Sequence, residues 1–237
     1  MPPFERELIR NRTAEIRRIL DSLKGYPPDR MPEIVRQTVK ESYLPGLLRE
    51  IYTVVGGDIA GVAVGEFLNR KSAPNQSRVT WLMEDYVHQV SGQKIKSISG
   101  TLKVFIIGQI RQALETSPHS GIEQQTQYIH RQVLEKWDTV KAWQIRRIVH
   151  TETMQAMSVG QYEAMEDLGM EYRKVWTATF NNTRPEHEYM DGVTVGRDEF
   201  FILPNGDRML YPHDTLHGAS AENVINCQCG TYDYPIK

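Results

Sequence analysis

Cysteine is scarce in this sequence of 237 residues, and the only two, Cys227 and Cys229, are one residue apart. Such a pair cannot supply the disulfide framework of a small secreted domain, so we expect synthesis in a reducing cytosol. The segment 1–24 is charge-rich throughout and lacks the apolar stretch of a signal peptide. The apolar runs of segment 47–68 are interrupted by Asp58 and fall short of the roughly 20 residues of a membrane span. We therefore expect no membrane segment.

Several motifs of catalytic and nucleotide-binding sites are also missing. The sequence has no H-E-x-x-H metalloprotease motif, no Gly-rich phosphate loop and no motif of a catalytic nucleophile. It has no internal repeats and no low-complexity tracts either. These absences exclude the common signatures of metalloproteases and nucleotide-binding enzymes, and they weigh against catalytic activity.

Charge is almost balanced over the whole chain, with a formal net charge of −2, but it is unevenly distributed. Residues 1–150 hold 22 Lys and Arg against 16 Asp and Glu, whereas residues 151–237 hold 6 against 14. Binding to a phosphate backbone depends on Lys and Arg, so the acidic C-terminal part is a poor candidate for DNA binding. Any DNA contact is expected through the helical N-terminal part, although so modest an excess is explained more simply by solubility.

Apolar residues recur at helical spacing through most of residues 1–168. In the first segment Leu8, Ile16 and Leu23 share one face. Arginines and glutamates alternate elsewhere in this segment, and we expect the arginines, Arg12 among them, to lie on a solvated face. The predicted helices are 4–24, 32–44, 47–68, 79–90, 101–115, 122–137 and 138–168.

Two of these helices have distinctive features. Gly, Ala and Val dominate segment 47–68, which favours a helix packed closely against a neighbour within the chain or in another subunit. Asp138 is a suitable N-cap for the long helix at 138–168, and Gly169 is suitable for its C-terminal end.

The sequence pattern changes after Gly169. Segments rich in β-branched and aromatic residues, as strands are, occur at 171–179, 193–195, 199–203 and 208–211. Pro204-Asn205-Gly206-Asp207 has the composition of a hairpin turn. We therefore predict an α+β fold, with a mainly helical N-terminal two-thirds and a small C-terminal antiparallel β-containing module.

A group of soft ligands lies in this C-terminal module. Cys227 and Cys229 are too close in sequence to bridge each other easily, but their thiolates can bind one metal ion. His187 is the best third ligand because it lies in the other half of the module. Two thiolates and an imidazole favour a tetrahedral zinc site. The fourth ligand could be His213, His217, Asp191 or water. The alternative is that both cysteines are buried core residues, as free cysteines often are.

Separated blocks of the C-terminal half resemble, in the same order, the signature of one protein family. The blocks are W-T-A-T, N-N-T-R-P-E-H, M-D-G, D-E-F-F, M-L-Y-P and A-E-N-V-I-N-C-Q-C, which begin at residues 176, 181, 190, 198, 209 and 221. H-T-E-T from His150, followed by Q-A-M-S-V-G, is similar to an upstream R-T-E-T segment of that family. Residues 120–237 thereby resemble the phage Mu F-like head morphogenesis family, the minor head proteins of tailed phages and prophages.

The resemblance implies a virion protein that acts at the portal in head assembly and in DNA packaging or delivery. Its partners would be the portal protein and the major capsid or scaffold protein. It would be located in the phage head after assembly in the host cytoplasm. The implied division is an N-terminal helical region at 1–116 and a head morphogenesis domain at 117–237. That domain would combine the long helix at 138–168 with a small β module at 170–237.

A small module of this kind needs more than its core to hold it together. We expect a structural polar network to supply part of that stability, formed by Glu152, Thr183, Arg184, Asp191 and Asn226. Within it, Glu152 would be a buried partner of Arg184 or His187. The alternative for Glu152 is an exposed polar turn of the long helix.

Three positions depart from the family pattern, in which Asn181, Gln228 and His150 are usually Asp, Arg and Arg. The missing acid at position 181 weakens a catalytic interpretation, and we predict that the protein is not an enzyme. The alternative is a metal-dependent hydrolase or transferase that uses the region of His187, Cys227 and Cys229. A nucleic-acid-binding zinc module is a further alternative, and the acidic charge of the C-terminal part opposes it.

Overall fold

The computed structural model describes residues 3–67, 76–117, 121–181 and 183–236. The helices are Pro3–Ser22 (α1), Met31–Thr38 (α2), Leu44–Ile51 (α3), Gly57–Phe67 (α4), Gln76–Thr116 (α5), Ile122–Asp167 (α6), Pro185–Tyr189 (α7) and Ala221–Val224 (α8). The strands are Tyr172–Thr177 (β1), Thr194–Gly196 (β2), Phe201–Ile202 (β3), Arg208–Met209 (β4) and Gly230–Pro235 (β5). Long helices therefore precede a small antiparallel sheet, and the predicted α+β class is confirmed.

The two longest helices are longer than the sequence pattern predicted. α5 contains both predicted helices at 79–90 and 101–115. α6 begins at Ile122, so the predicted start of a new helix at Asp138 was wrong. Asp138 lies inside α6 and pairs with Lys141 at 2.6 Å. The helix continues because apolar residues at helical spacing cross this point without a glycine or proline. The buried ones are Ile129, Val133, Trp137, Ile145 and Val149.

Met1–Pro45 and Ser91–Arg146 form one of two compact units. Arg12 is fully buried in this unit, so the expectation that it lies on a solvated face was wrong. It is four residues from both Leu8 and Ile16, which places it on the buried face of α1. Its guanidinium binds the buried Glu41 carboxylate at 2.8 Å. The predicted boundary near residue 117 stays a prediction.

Gly46–Val90 and Arg147–Lys237 form the other compact unit. A π-helical turn, Tyr52–Gly56, connects α3 to α4. It brings Gly56 against Gly160 of α6, where an added Cβ on Gly160 would lie 2.2 Å from the Gly56 carbonyl oxygen. The segment of small residues therefore packs closely against a helix of the same chain, one of the two arrangements that its composition favoured.

The sheet of this unit has the order β2-β1-β5 and is antiparallel throughout. β3 and β4 form a separate hairpin, in which Phe201 is opposite Met209. The hairpin turn lies at the predicted position and places Gly206 at φ +90°. β5 begins just after the two cysteines, so they lie in the loop that enters the last strand. None of the helices in the described ranges combines the length and apolar content needed to cross a membrane.

Candidate metal centre

The core of the C-terminal module surrounds the predicted metal ligands. Its buried cluster comprises Trp176, Met190, Phe201, Leu203, Met209, Val224, Cys227 and Cys229. The short helix α7 brings His187 to this cluster. Pro185 occupies the first turn of α7, where its fixed backbone angle favours helix initiation. Glu186 and Glu188 face solvent and His187 faces inward, so one helical turn presents the imidazole to the core.

The two cysteines are oriented by the loop between α8 and β5. Asn226 has a φ of +57°, a left-handed conformation that asparagine adopts more readily than most residues. Its main-chain N–H donates to the Thr151 hydroxyl of α6 at 3.0 Å. The next turn brings the Cys229 N–H within 3.3 Å of the Cys227 sulfur. Both thiols are buried and free.

His187, Cys227 and Cys229 come together as the sequence predicted, in a buried group that could hold a metal ion. The Nδ1 atom of His187 lies 3.3 Å from the Cys227 sulfur and 3.5 Å from the Cys229 sulfur. A tetrahedral zinc with ordinary bond lengths separates a sulfur and a nitrogen ligand by about 3.5 Å. The residue types and the two nitrogen–sulfur distances therefore fit part of a tetrahedral zinc site.

The two thiols differ in acidity. A hydrogen bond from the Cys229 thiol lowers the pKa of Cys227, although burial opposes this effect. The same hydrogen bond, together with burial, raises the pKa of Cys229. Because the thiolate is the form that binds metals, Cys227 is the first ligand available, and full binding of a metal would release the Cys229 proton.

The protein candidates for a fourth ligand form other bonds. His213 donates from Nε2 to the Cys227 carbonyl oxygen at 3.1 Å and accepts the Ser158 hydroxyl at Nδ1, also at 3.1 Å. Burial lowers the pKa of His213 to about 4, so its ring is neutral. His217 binds the buried Asp214 carboxylate at 2.6 Å. The ligand atoms that lie within 4.8 Å of one another are those of His187, Cys227 and Cys229.

The residues of the predicted polar network bond to several different groups. Glu152 is buried and accepts a hydrogen bond from the Tyr52 hydroxyl at 3.0 Å, which removes the alternative of an exposed turn. Arg184 donates to the Ile225 carbonyl oxygen at 2.5 Å and thereby ties the start of α7 to the cysteine loop. This contact supports His187 indirectly, through the backbone on either side of the site.

The remaining members of that network stabilise local turns. Asp191 accepts a hydrogen bond from the Ala178 main chain at 2.8 Å, which ties the end of α7 to the residue after β1. The hydroxyls of Thr183 and Thr179 are 3.5 Å apart. Asn226 contributes its main-chain N–H, as described above, and this contact depends on its backbone conformation.

Two residues next to the site were not singled out from the sequence. Asn223 is buried, and its Oδ1 lies 3.1 Å from Nε2 of His187. Asn223 Nδ2 in turn donates to the Asp207 carboxylate at 2.8 Å. Both lie in segments that the sequence analysis quoted, Asn223 in A-E-N-V and Asp207 in P-N-G-D. Residue type alone did not mark them as neighbours of the site, because Asn and Asp are ordinary residues of caps and turns.

A cavity of about 270 Å³ borders Cys229. Its walls include Met154, Met157, Gln161 and Asp233. The Asp233 carboxylate accepts a hydrogen bond from Gln161 at 2.7 Å, and burial raises its pKa to about 6. The cavity therefore places methionines and a carboxyl group in the same wall as Cys229.

No known family model and no solved structure matches the chain. The chain is 35% identical over 94 residues to NAD(+)--arginine ADP-ribosyltransferase EFV of Enterococcus faecalis. The match covers 38% of this chain and 18% of that protein, so the chain spans less than a fifth of the relative's length. The prediction that the protein is not an enzyme is overturned by this finding, because part of the chain is shared with a protein named for an enzymatic activity.

Proposed function

We propose that the protein is a minor head component of a tailed phage or prophage, acting at the portal in head assembly and in DNA packaging or delivery. It would be located in the virion head after assembly in the host cytoplasm. Its partners would be the portal protein and the major capsid or scaffold protein. DNA would be contacted through the helical part alone, because residues 151–237 hold only 6 Lys and Arg against 14 Asp and Glu.

The observation that carries this proposal is where the family-like blocks lie in the fold. The blocks at 176, 190, 198, 209 and 221 are far apart in sequence, yet each contributes a residue to the same core. These residues are Trp176, Met190, Phe201, Met209, Cys227 and Cys229. A signature distributed in this way specifies a whole module, as expected if the resemblance reflects a shared fold.

The proposal includes zinc as the ion bound by His187, Cys227 and Cys229. Zinc accepts two thiolates and an imidazole in tetrahedral geometry, and the ligand spacing described above fits it. The three residues come from α7 and from the loop before β5, so one ion would connect two segments of a module with a small core. In an assembly protein such an ion would stabilise the surface presented to a partner.

Association with the portal tests the assembly role. Portal rings of the same phage would be purified with and without the protein and weighed by native mass spectrometry. We expect rings mixed with the protein to gain mass in whole multiples of 27.3 kDa. The Cys227→Ser, Cys229→Ser double variant is the comparison sample. Its C-terminal module should be less stable, so we expect it to add less mass to the rings. Rings whose mass is unchanged by the parent protein would refute the assignment.

A transferase activity is a second candidate, and the similarity to a protein named NAD(+)--arginine ADP-ribosyltransferase favours it. A metal site with three protein ligands beside a cavity is also an arrangement that catalytic sites use. The test is release of nicotinamide from NAD⁺ in the presence of an arginine derivative. Release that requires both the acceptor and intact Cys227 and Cys229 would support this candidate. Release no faster than with heat-denatured protein would remove it.

A further inference from the structure

A chain of hydrogen bonds leads from the β3–β4 hairpin to the candidate metal site. One carboxylate oxygen of Asp207 accepts from the Ser220 main chain at 2.7 Å, the Ser220 hydroxyl at 2.6 Å and Asn223 Nδ2 at 2.8 Å. Asn223 Oδ1 lies 3.1 Å from His187 Nε2. His187 Nδ1, on the other side of the ring, faces both sulfur atoms. The chain therefore connects Asp207 to the thiols through one amide and one imidazole.

The carboxylate at the start of this chain determines the direction of every later bond. Partial burial disfavours its charge, but the hydrogen bonds from Ser220 and Asn223 outweigh burial and hold the pKa of Asp207 at about 2. An ionised carboxylate only accepts hydrogen bonds, so the Asn223 amide nitrogen must face Asp207. The Asn223 oxygen then faces His187, and because an amide oxygen also only accepts, Nε2 must carry the proton.

The tautomer of His187 follows directly. A neutral imidazole has one N–H, so a proton on Nε2 leaves a lone pair on Nδ1. Nδ1 is the nitrogen that lies 3.3 and 3.5 Å from the two sulfurs. Trp176 packs edge-on against the ring, with centroids 5.5 Å apart and planes at 82°, and thereby restricts its rotation. The hydrogen bonds and the packing thus select one orientation of the ring and one tautomer of the neutral imidazole.

We propose that Asp207 and Asn223 are positioning residues that present Nδ1 of His187 as a metal ligand before any ion arrives. The role in metal binding rests on the proposed zinc site, whereas the tautomer is a property of the metal-free protein. With the lone pair already directed at the thiols, binding requires no proton shift on the imidazole and no ring flip. Outer partners of metal-binding histidines commonly act in this way.

The tautomer can be measured by long-range ¹H–¹⁵N correlation NMR of the metal-free protein at about pH 8, where an ordinary imidazole is neutral. We expect the His187 proton on Nε2 in the parent. Asn223→Leu should lose this preference. Glu222→Gln is the matched control, because Glu222 is exposed on the same short helix as Asn223 and is not a member of this chain of hydrogen bonds. A parent His187 protonated on Nδ1 would overturn the inference, and this measurement needs no variant to fold.

Zinc affinity, measured by competition with a chromophoric chelator, tests whether the His187 tautomer protonated on Nε2 favours metal binding. We expect Asn223→Leu to bind zinc about 10- to 100-fold more weakly than the parent. Glu222→Gln should bind zinc as the parent does. Equal affinities of the parent and Asn223→Leu would refute the positioning role. A parent with the expected tautomer and no zinc binding would instead refute the metal site, so the two failures are distinguishable.

Discussion

At the scale of single residues, Arg12 and Glu41 form a buried ion pair whose loss should strongly affect stability. Both side chains are fully buried. Arg12 also donates to the Ile98 carbonyl oxygen at 2.8 Å, which joins α1 to α5 within one compact unit. Removing one member of a buried pair leaves the other charge desolvated and without its counterion. The folded protein is then strongly destabilised.

We expect Glu41→Gln to lower the free energy of unfolding by about 3–5 kcal/mol, because the Arg12 charge would stay buried and unpaired. Glu33→Gln is the matched control, since Glu33 pairs with Arg36 at 3.1 Å on the surface. The control should cost less than about 1 kcal/mol. Urea denaturation of both variants measures the difference, and similar costs for the two would contradict the account of Arg12.

Asp233 gives a prediction about pH. Burial raises its pKa from 3.8 to about 6, so the folded protein favours the protonated form. A group with a raised folded pKa contributes stability below its unfolded pKa, and that contribution is lost as the pH rises through the folded pKa. The parent should therefore lose stability relative to Asp233→Asn between about pH 4 and pH 6, by about 1–3 kcal/mol.

Unfolding free energies at several pH values check this expectation. Asp198→Asn is the control, because that carboxylate is exposed at the surface. The unfolding free energy of Asp198→Asn relative to the parent should show no comparable change with pH. A difference between parent and Asp233→Asn that stays constant with pH would show that the Asp233 carboxyl titrates normally.

At this scale the sequence predicted which side chains come together at the candidate site better than it predicted their supporting contacts. His187, Cys227 and Cys229 were recognisable because soft ligands are rare in the chain and their chemistry is specific. Asn223 could not be selected from the sequence, since its role depends on a distance between α8 and α7. Arg12 was misassigned because alternating charges indicate a solvated face unless a partner such as Glu41 lies opposite.

At the scale of elements, α6 and the π-helical turn bring their backbones into close contact at Gly160 and Gly56. A Cβ on Gly160 would lie 2.2 Å from the Gly56 carbonyl oxygen and 2.8 Å from its Cα. Main-chain atoms cannot move aside as a flexible side chain can, so the two elements would have to separate. The small residues of segment 47–68 thus permit a backbone approach that larger side chains would prevent.

We expect Gly160→Ala to destabilise the protein by about 1–3 kcal/mol or more, as overpacking of a tight contact does. Gly108→Ala is the matched control, since it lies in α5 with no atom within 4 Å of the added Cβ. There alanine should stabilise the helix by up to about 1 kcal/mol. Thermal unfolding of the two variants should shift in opposite directions. A shift of the same sign would contradict the described crossing.

The predictability of the elements differs along the chain. The β1 segment and the β3–β4 hairpin were predictable because strand composition and a P-N-G-D turn are local signals. The lengths of α5 and α6 were not, because Gly92, Gly100 and Asp138 resemble helix ends locally. Packing on a continuous buried face kept these helices intact, and that face exists only in the folded chain.

At the scale of the whole molecule, an ion bound by His187, Cys227 and Cys229 would add its binding energy to the folding of the module. We expect a strong chelator to reduce amide hydrogen-exchange protection in α7 and β5. Protection of α1, which belongs to the other compact unit, should change little. Even without chelator, the Cys227→Ser, Cys229→Ser variant should show the reduced protection in α7 and β5 that chelator produces in the parent. Exchange that is insensitive to both treatments would remove a stabilising role for the ion.

The most direct measurement is the zinc content of the purified protein, determined by elemental analysis together with that of the double variant. We expect one zinc per chain in the parent and none in Cys227→Ser, Cys229→Ser. A parent without zinc, or a double variant that retains it, would contradict the assignment of His187, Cys227 and Cys229 as a metal centre.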